Sequence, residues 1–147
     1  MNIEDLKKVL KNRKINDYLL IFGNDNAENL KFAYELANIV SDEEHIFSIS
    51  KKDEQERISI DEIKKFFELA YTDITKNNSI VSLIIDINDN NISNEAKILL
   101  TAFSRKKDDN LNVFLITEDE MELRSPLASR CVILRNNEEY KNSGKLK

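Results

Sequence analysis

Three apolar runs of the chain end on residues that could touch a phosphate or a metal. "DYLLIF" (17–22) runs into Gly23, "SLIID" closes on Asp86, and "VFLIT" closes on Thr117. A phosphate-gripping loop of the form G-x-x-x-x-G-K-[ST] follows a buried strand and opens a helix. Its glycine lets the backbone approach closely, its lysine contacts the β- and γ-phosphates, and its hydroxyl holds magnesium. Counting from Gly23, the second glycine falls on Glu28, the lysine on Asn29 and the hydroxyl on Leu30. None of the three has the needed chemistry. Glu28 opposes it, because a carboxylate ~4 Å from a phosphate charge costs about 4 kcal/mol at an effective dielectric of 20. Lys31 comes one position late, roughly 100° around a helix. A plain strand–turn–helix, with Gly23 serving the turn, explains the same residues. On either reading, ATP binding at Gly23 is not expected.

Asp86 stands where a strand-end aspartate would hold magnesium through water. A hydrolytic site of that kind places a second acid beside it to orient the attacking water. Here the neighbour is Ile87, which accepts neither a proton nor a hydrogen bond. A strand-end Asp that caps the next turn and a vestigial metal position both fit. Thr117 occupies a position from which a polar side chain could sense a γ-phosphate, although a Thr closing a strand is common. "SPLASRC" (125–131) places Ser129 and Arg130 between a short helix and a strand. A guanidinium keeps its charge and can donate two parallel hydrogen bonds to a phosphate, while most isolated arginines are solvated surface residues. His45, the only histidine, has no Cys partner and no evident acid-base partner, and reads as a strand-edge residue. No G-x-S-x-G, H-E-x-x-H or paired Cys-x-x-Cys occurs, and "DEEH" (42–45) and "KKDEQER" (51–57) read as solvated loops.

The elements that must hold these residues are set by the apolar spacing. Ile3, Leu6, Val9 and Leu10 predict an opening amphipathic helix. Ala27, Leu30, Ala33, Tyr34, Ala37 and Val40 predict a second, and Ser59 with Glu62 forms a capping box for a third carrying Ile63, Phe66, Phe67 and Ala70. A fourth carries Ala96, Leu99, Leu100 and Phe103, and Pro126 suits the first turn of a short helix behind Ser125. The strands are 17–22, 45–50, 79–86, 112–117 and 131–134. Alternation of strands and helices predicts an α/β fold with a mostly parallel sheet covered on both faces. Sites in such sheets lie beyond the carboxyl ends of the strands.

The bulk properties bound the function. At 147 residues the chain makes one domain with a single core. A net charge of −5 argues against an autonomous nucleic-acid binder. The lone Cys131 rules out an internal disulfide and a cysteine-cluster zinc site, which fits a cytoplasmic protein. No apolar run approaches the roughly 20 residues of a membrane span, and no signal-peptide pattern opens the chain. The many Asn, Ile and Lys residues read as genome bias. The segment from Asn136 onward, "NNEEYKNSGKLK", reads as a linker or disordered tail.

Three segments in order resemble one family: "DYLLIFGNDNAENLKFAYELA", "ISIDEIKKFFELAYTD…SIVSLIIDINDNNISNEAKILLTAF" and "NVFLITEDEMELRSPLASRC". They are similar to the N-terminal AAA+ domain of bacterial DNA polymerase III clamp-loader subunits, the delta-prime/gamma/tau family, and to its delta-prime branch above all. The resemblance covers Asn16 to Leu134. It implies a three-layer αβα RecA-like core over 1–135, with a five-stranded parallel sheet in the order 5-1-4-3-2. It also implies a stator, a subunit with the motor fold and a decayed nucleotide site, at which Gly23, Glu28, Asn29, Leu30, Asp86 and Thr117 are vestiges. Ser129, Arg130 and Cys131 match the family's Ser-Arg-Cys motif, whose arginine reaches the ATP of an adjacent motor subunit. The partners implied are the motor (gamma/tau) and delta subunits, with the sliding clamp and primed DNA reached through the complex. Neither cofactor, metal nor membrane is expected, and no ATPase activity is expected from the chain alone, although it would belong to the DNA polymerase III holoenzyme.

The sequence departs from the family in three respects. The four-Cys zinc module is absent, "SRKKDD" (104–109) replaces a Glu-Glu-Pro-Pro stretch, and the lid and collar domains are missing. The expectation is therefore an N-terminal fragment or a shortened form. Two rivals use the same residues. An active AAA+ ATPase with an atypical P-loop would bind Mg-ATP. A phosphoacceptor receiver domain would take phosphate on Asp86, but it needs an acidic pair after strand one and a Lys after strand five, where this chain has Gly23-Asn24-Asp25 and Arg135.

Overall fold

A computed structural model describes residues 3–12, 16–51 and 56–136. Five strands, β1 (Tyr18–Phe22), β2 (Ile46–Ile49), β3 (Val81–Asp86), β4 (Leu111–Thr117) and β5 (Cys131–Arg135), alternate with α1 (Ile3–Lys11), α2 (Asn26–Val40), α3 (Ile60–Asn77) and α4 (Asn94–Phe103). All pairings are parallel, and the order across the sheet is β2-β3-β4-β1-β5, the expected 5-1-4-3-2 read from the other edge. This order excludes the receiver reading, whose doubly wound sheet runs 2-1-3-4-5.

The strand side chains alternate between two cores. Leu19 and Ile21 of β1, Ile84 of β3, and Phe114 and Ile116 of β4 face Leu6, Leu10, Phe32, Ala33 and Leu36 of α1 and α2. Their neighbours Leu20, Leu83, Ile85, Val113 and Leu115 face Ile63, Phe67, Ala96 and Leu100 of α3 and α4. Strands buried on both faces read as near-continuous apolar runs, as β1 does and as β3 does apart from Ser82 and the closing Asp86.

Local signals set the helix ends. The Ser59–Glu62 capping box forms as expected, and Asn78, left-handed at φ 51°, closes α3. Asp25 caps α2 and Ser93 caps α4. The expected short helix behind Ser125 is a pair of tight turns ending in a 3-10 segment, Ala128–Arg130. Two further 3-10 segments, Glu43–His45 and Glu120–Arg124, stand where the sequence suggested only loops. Most of the 51–57 stretch and the tail beyond Asn136 lie outside the described residues. Asn136 itself, read as the first tail residue, is buried. No helix among the described residues is long and apolar enough to cross a membrane.

Candidate functional site

The loop after β1 is closed from within. Asn29, at the position of a P-loop lysine, is 0% exposed. Its Nδ2 donates to the carbonyls of Gly23 (3.0 Å) and Thr117 (3.2 Å), and its Oδ1 accepts from Asn136 Nδ2 at 3.0 Å. The Asn136 amide donates to the Phe22 carbonyl at 2.6 Å, and the Gly23 amide to that of Thr117 at 3.2 Å. One carboxamide thus ties together the carboxyl ends of β1, β4 and β5. Gly23 is required for closeness: a Cβ there would sit 2.4 Å from Asn29 Oδ1 and 2.5 Å from the Asn136 carbonyl. Asp25 Oδ1 accepts from the amides of Ala27 (3.0 Å) and Glu28 (3.3 Å). Free amides at a helix start attract anions, and here a carboxylate of the chain itself takes that role.

Asp86 is held just as completely. Its Oδ2 accepts from Asn26 Nδ2 (3.0 Å) and Asn91 Nδ2 (2.8 Å). Its Oδ1 accepts from the backbone amide of Asn88 (3.0 Å) and from Asn88 Nδ2 (2.7 Å). The first of these Asn88 bonds is the Asx turn of a strand-end Asp that caps the turn after it. Asn88 continues the network, with its Oδ1 accepting from Thr117 Oγ1 (3.2 Å) and from the Glu118 amide (2.7 Å). Thr117 Oγ1 in turn accepts from the Asp119 amide at 3.0 Å. Ile87 is fully buried. A cleft of about 520 Å³ opens beside this network, lined by Asn26, Leu30, Ser48, Lys51, Asp86 and Asn91 among others. Leu30, expected on the buried face of α2, is 37% exposed at its rim.

These residues do not fit a magnesium nucleotide. The lysine position points inward, the hydroxyl position is Leu30, and both Asp86 oxygens are taken by amide donors, which compete with a metal-bound water. Among the described residues no group of three His, Cys, Asp or Glu could hold a metal ion. Gly23, Asn29 and Thr117 come together, and Asp86 joins them through Asn88. Glu28 stays exposed on the first turn of α2. The partners missed from the sequence are Asn26, Asn88, Asn91 and Asn136. Whatever sets the abundance of Asn elsewhere, at these four positions its carboxamides close the site.

Ser129 and Arg130 lie at the other end of the sheet. Cys131 pairs with Tyr18, the first residue of β1, whereas Arg135 pairs with Phe22. Arg130 is therefore about one strand length, ~17 Å, from the Gly23 end. Both side chains are exposed. The Arg130 amide donates to the Leu127 carbonyl (3.0 Å) and Ser129 Oγ to that of Pro126 (2.6 Å), so the turn is fixed by its backbone and leaves the guanidinium outward. Burial, with some help from the Glu122 charge, pushes the Cys131 thiol up to about 12, which makes it a packing residue rather than a nucleophile.

The expectation that His45 lacks an acid partner is corrected. Its Nδ1 lies 2.7 Å from Asp73 Oδ2 on α3, and its Nε2 lies 3.4 Å from Glu44.

No family model matches the chain, and no curated protein matches it by sequence. Among solved structures, it is similar to a DNA polymerase III gamma subunit-related protein from Thermotoga maritima. That match has a TM-score of 0.68 at 18% identity and covers 100% of this chain and 50% of the other. The chain thus spans half the length of that protein. At this identity the likeness establishes the shared fold.

Proposed function

We propose that the chain is a stator domain of a bacterial DNA polymerase III clamp loader, of the delta-prime kind, that binds no nucleotide of its own. It lends Arg130 to the ATP of a neighbouring motor subunit and so helps load the sliding clamp on primed DNA. The observation that carries this reading is the contrast between the two ends of the sheet. The nucleotide-type end is filled by the chain's own amides, while Arg130 at the far end is exposed and set on a fixed turn. A guanidinium presented to a neighbour's γ-phosphate stabilises the charge that develops during transfer, and Ser129 stands beside it. The shared fold with a gamma subunit-related protein supports the assignment to this class of machine. The net charge of −5 fits DNA contact made through partner subunits.

The test is a loader assembled from the full chain with the same organism's motor and delta subunits. Its clamp- and DNA-stimulated ATPase rate is compared between wild type and Arg130→Ala. A trans-acting finger predicts a fall of about 10³ with assembly intact. An unchanged rate would overturn the reading, and Mg-ATP binding by this chain alone in calorimetry would favour an active ATPase instead.

A further inference from the structure

We propose that Lys97 is a positioning residue for Arg130, acting through a largely buried ion pair with Glu122. The inference rests on the finger reading above. The segment between β4 and β5, which carries Arg130, is tied by polar side chains to the β3–α4 unit at two places. Near its start, Asn88 accepts from Thr117 Oγ1 and the Glu118 amide. In its middle, Lys97 Nζ on α4 lies 3.1 Å from Glu122 Oε1. The same ammonium contacts Asp89, in the loop after Asp86. The Lys97 and Glu122 side chains are only 14% and 9% exposed, whereas Asp89 is 71% exposed. A surface ion pair is screened, whereas removing one partner of a pair shielded from solvent leaves the other charge buried and unpaired.

From Glu122 the order passes to Arg130 by hydrogen bonds. The Ser125 amide donates to the Glu122 carbonyl (3.0 Å), and Ser125 Oγ accepts from the Ala128 amide (3.1 Å). The Ser129 amide donates to the Ser125 carbonyl (3.2 Å), and the Arg130 amide to that of Leu127 (3.0 Å). Buried Leu127 and Ala128 keep the turn folded whether or not the ion pair is present. Beside that packing, a cleft of about 570 Å³ opens against the outer side of α4, lined by Ile98, Thr101, Ala102, Pro126 and Leu127 along with the ion pair. Lys97 bridges that cleft. Without it Glu122 loses its tie to α4, and the segment from Glu122 to Pro126 that leads into the Arg130 turn can move toward the cleft.

The test uses the same assembled loader, reading kcat and the KM for ATP. Lys97→Met is expected to lower kcat about tenfold to a hundredfold, the range a displacement of roughly 1 Å can produce, with KM unchanged. Lys97→Arg, which can still bridge the two carboxylates, should keep the wild-type kcat. The double variant with Arg130→Ala should be no slower than Arg130→Ala alone. If Arg130→Ala slows the loader but Lys97→Met does not, or if the two losses multiply, the positioning role is wrong and the finger stands. If Arg130→Ala has no effect, the finger reading falls and this inference with it. Should Lys97→Met fail to assemble, Glu122→Gln, which keeps the packing and removes the charge, decides in its place. A lowered kcat supports the role, and an unchanged one overturns it.

Discussion

The two ends of the sheet treat polar side chains in opposite ways. At the carboxyl end, Asn29, Asp86, Asn88 and Thr117 spend their hydrogen-bonding capacity on one another and on the backbone, with Asn26, Asn91 and Asn136 as further partners. At the amino end, the Arg130 turn makes its hydrogen bonds with its own backbone and leaves the guanidinium outward. The first arrangement commits polar chemistry to stability, and the second leaves the Arg130 side chain exposed to solvent. Substitutions should therefore separate by kind. At the carboxyl end they should damage the fold. Arg130→Ala should leave stability within about ±0.5 kcal/mol, as for a surface change with no side-chain partner among the described residues, and on the proposed function its effect should show in the assembled loader.

The hardest test of that contrast is Asn29→Lys, which puts a lysine where the P-loop pattern would have one. The Gly23 carbonyl and the Asn136 carboxamide lose the Asn29 partner, the Thr117 carbonyl keeps only the Gly23 amide, and an ammonium is placed at a position with no solvent access. Each unsatisfied buried group costs about 1–3 kcal/mol, and a buried, unpaired charge adds more. The expected loss is about 3–5 kcal/mol by urea unfolding, with no Mg-ATP binding gained. A variant as stable as wild type that binds Mg-ATP would break the contrast, since the loop would then be a P-loop lacking one residue and not a closed one.

Asp86→Asn is a milder probe. If its Nδ2 replaces Oδ2 it faces the donors of Asn26 and Asn91, and if it replaces Oδ1 it faces those of Asn88. Neither rotamer restores the bonds. Hydrogen bonds to a charged group are worth about 1.5–3 kcal/mol each, and the loop can relax around some of them, so the expected loss is about 2–3 kcal/mol. Unchanged unfolding midpoints would mean that Asp86 is a free acceptor and not the centre of a closed network.

The sequence carried the frame of this molecule further than its closure. Apolar runs ending at Phe22, Asp86 and Thr117, the Ser59–Glu62 box and the alternation of elements are local signals, and each marks an element that forms. Asn29 was legible as a missing lysine but not as a plug. Its acceptors are the Gly23 and Thr117 carbonyls and its donor is Asn136, 107 residues away. Apolar periodicity also placed Leu30 inward, whereas the helix turns Asn29 to the core because its carboxamide finds partners there. The turn capped by Asp86 was legible as one of two readings of a strand-end Asp, but the part of Asn88, which carries the network on to Thr117, was not. The Lys97–Glu122 and His45–Asp73 pairs join elements whose proximity only the tertiary fold creates.

The last expected effect is the smallest and concerns pH. Asparagine carboxamides do not titrate near neutrality, so the bonds they donate at the carboxyl end should not change there. The His45–Asp73 pair, between the amino end of β2 and α3, should. The hydrogen bond to Asp73 holds the His45 imidazolium above its ordinary range against some desolvation, helped by the charges of Asp73, Glu44 and Asp42. Burial pushes the Asp73 carboxyl up, but hydrogen bonds from Asn77, His45 and Ser79 outweigh it and leave it below the usual range. A raised histidine contributes stability that is complete below its unfolded value, about 6.5, and is lost as pH rises through its folded value. A lowered aspartate contributes stability that is present above about 3.9 and is lost as pH falls through its folded value. The pair therefore helps most between those limits, and wild-type urea midpoints should fall as pH rises past neutrality. Because His45 is the only histidine, His45→Gln should flatten that slope while leaving the high-pH midpoint nearly unchanged. An equal slope in both proteins would assign the titration to another group, such as the α-amino terminus, and would remove the pair from the forces holding β2 to α3.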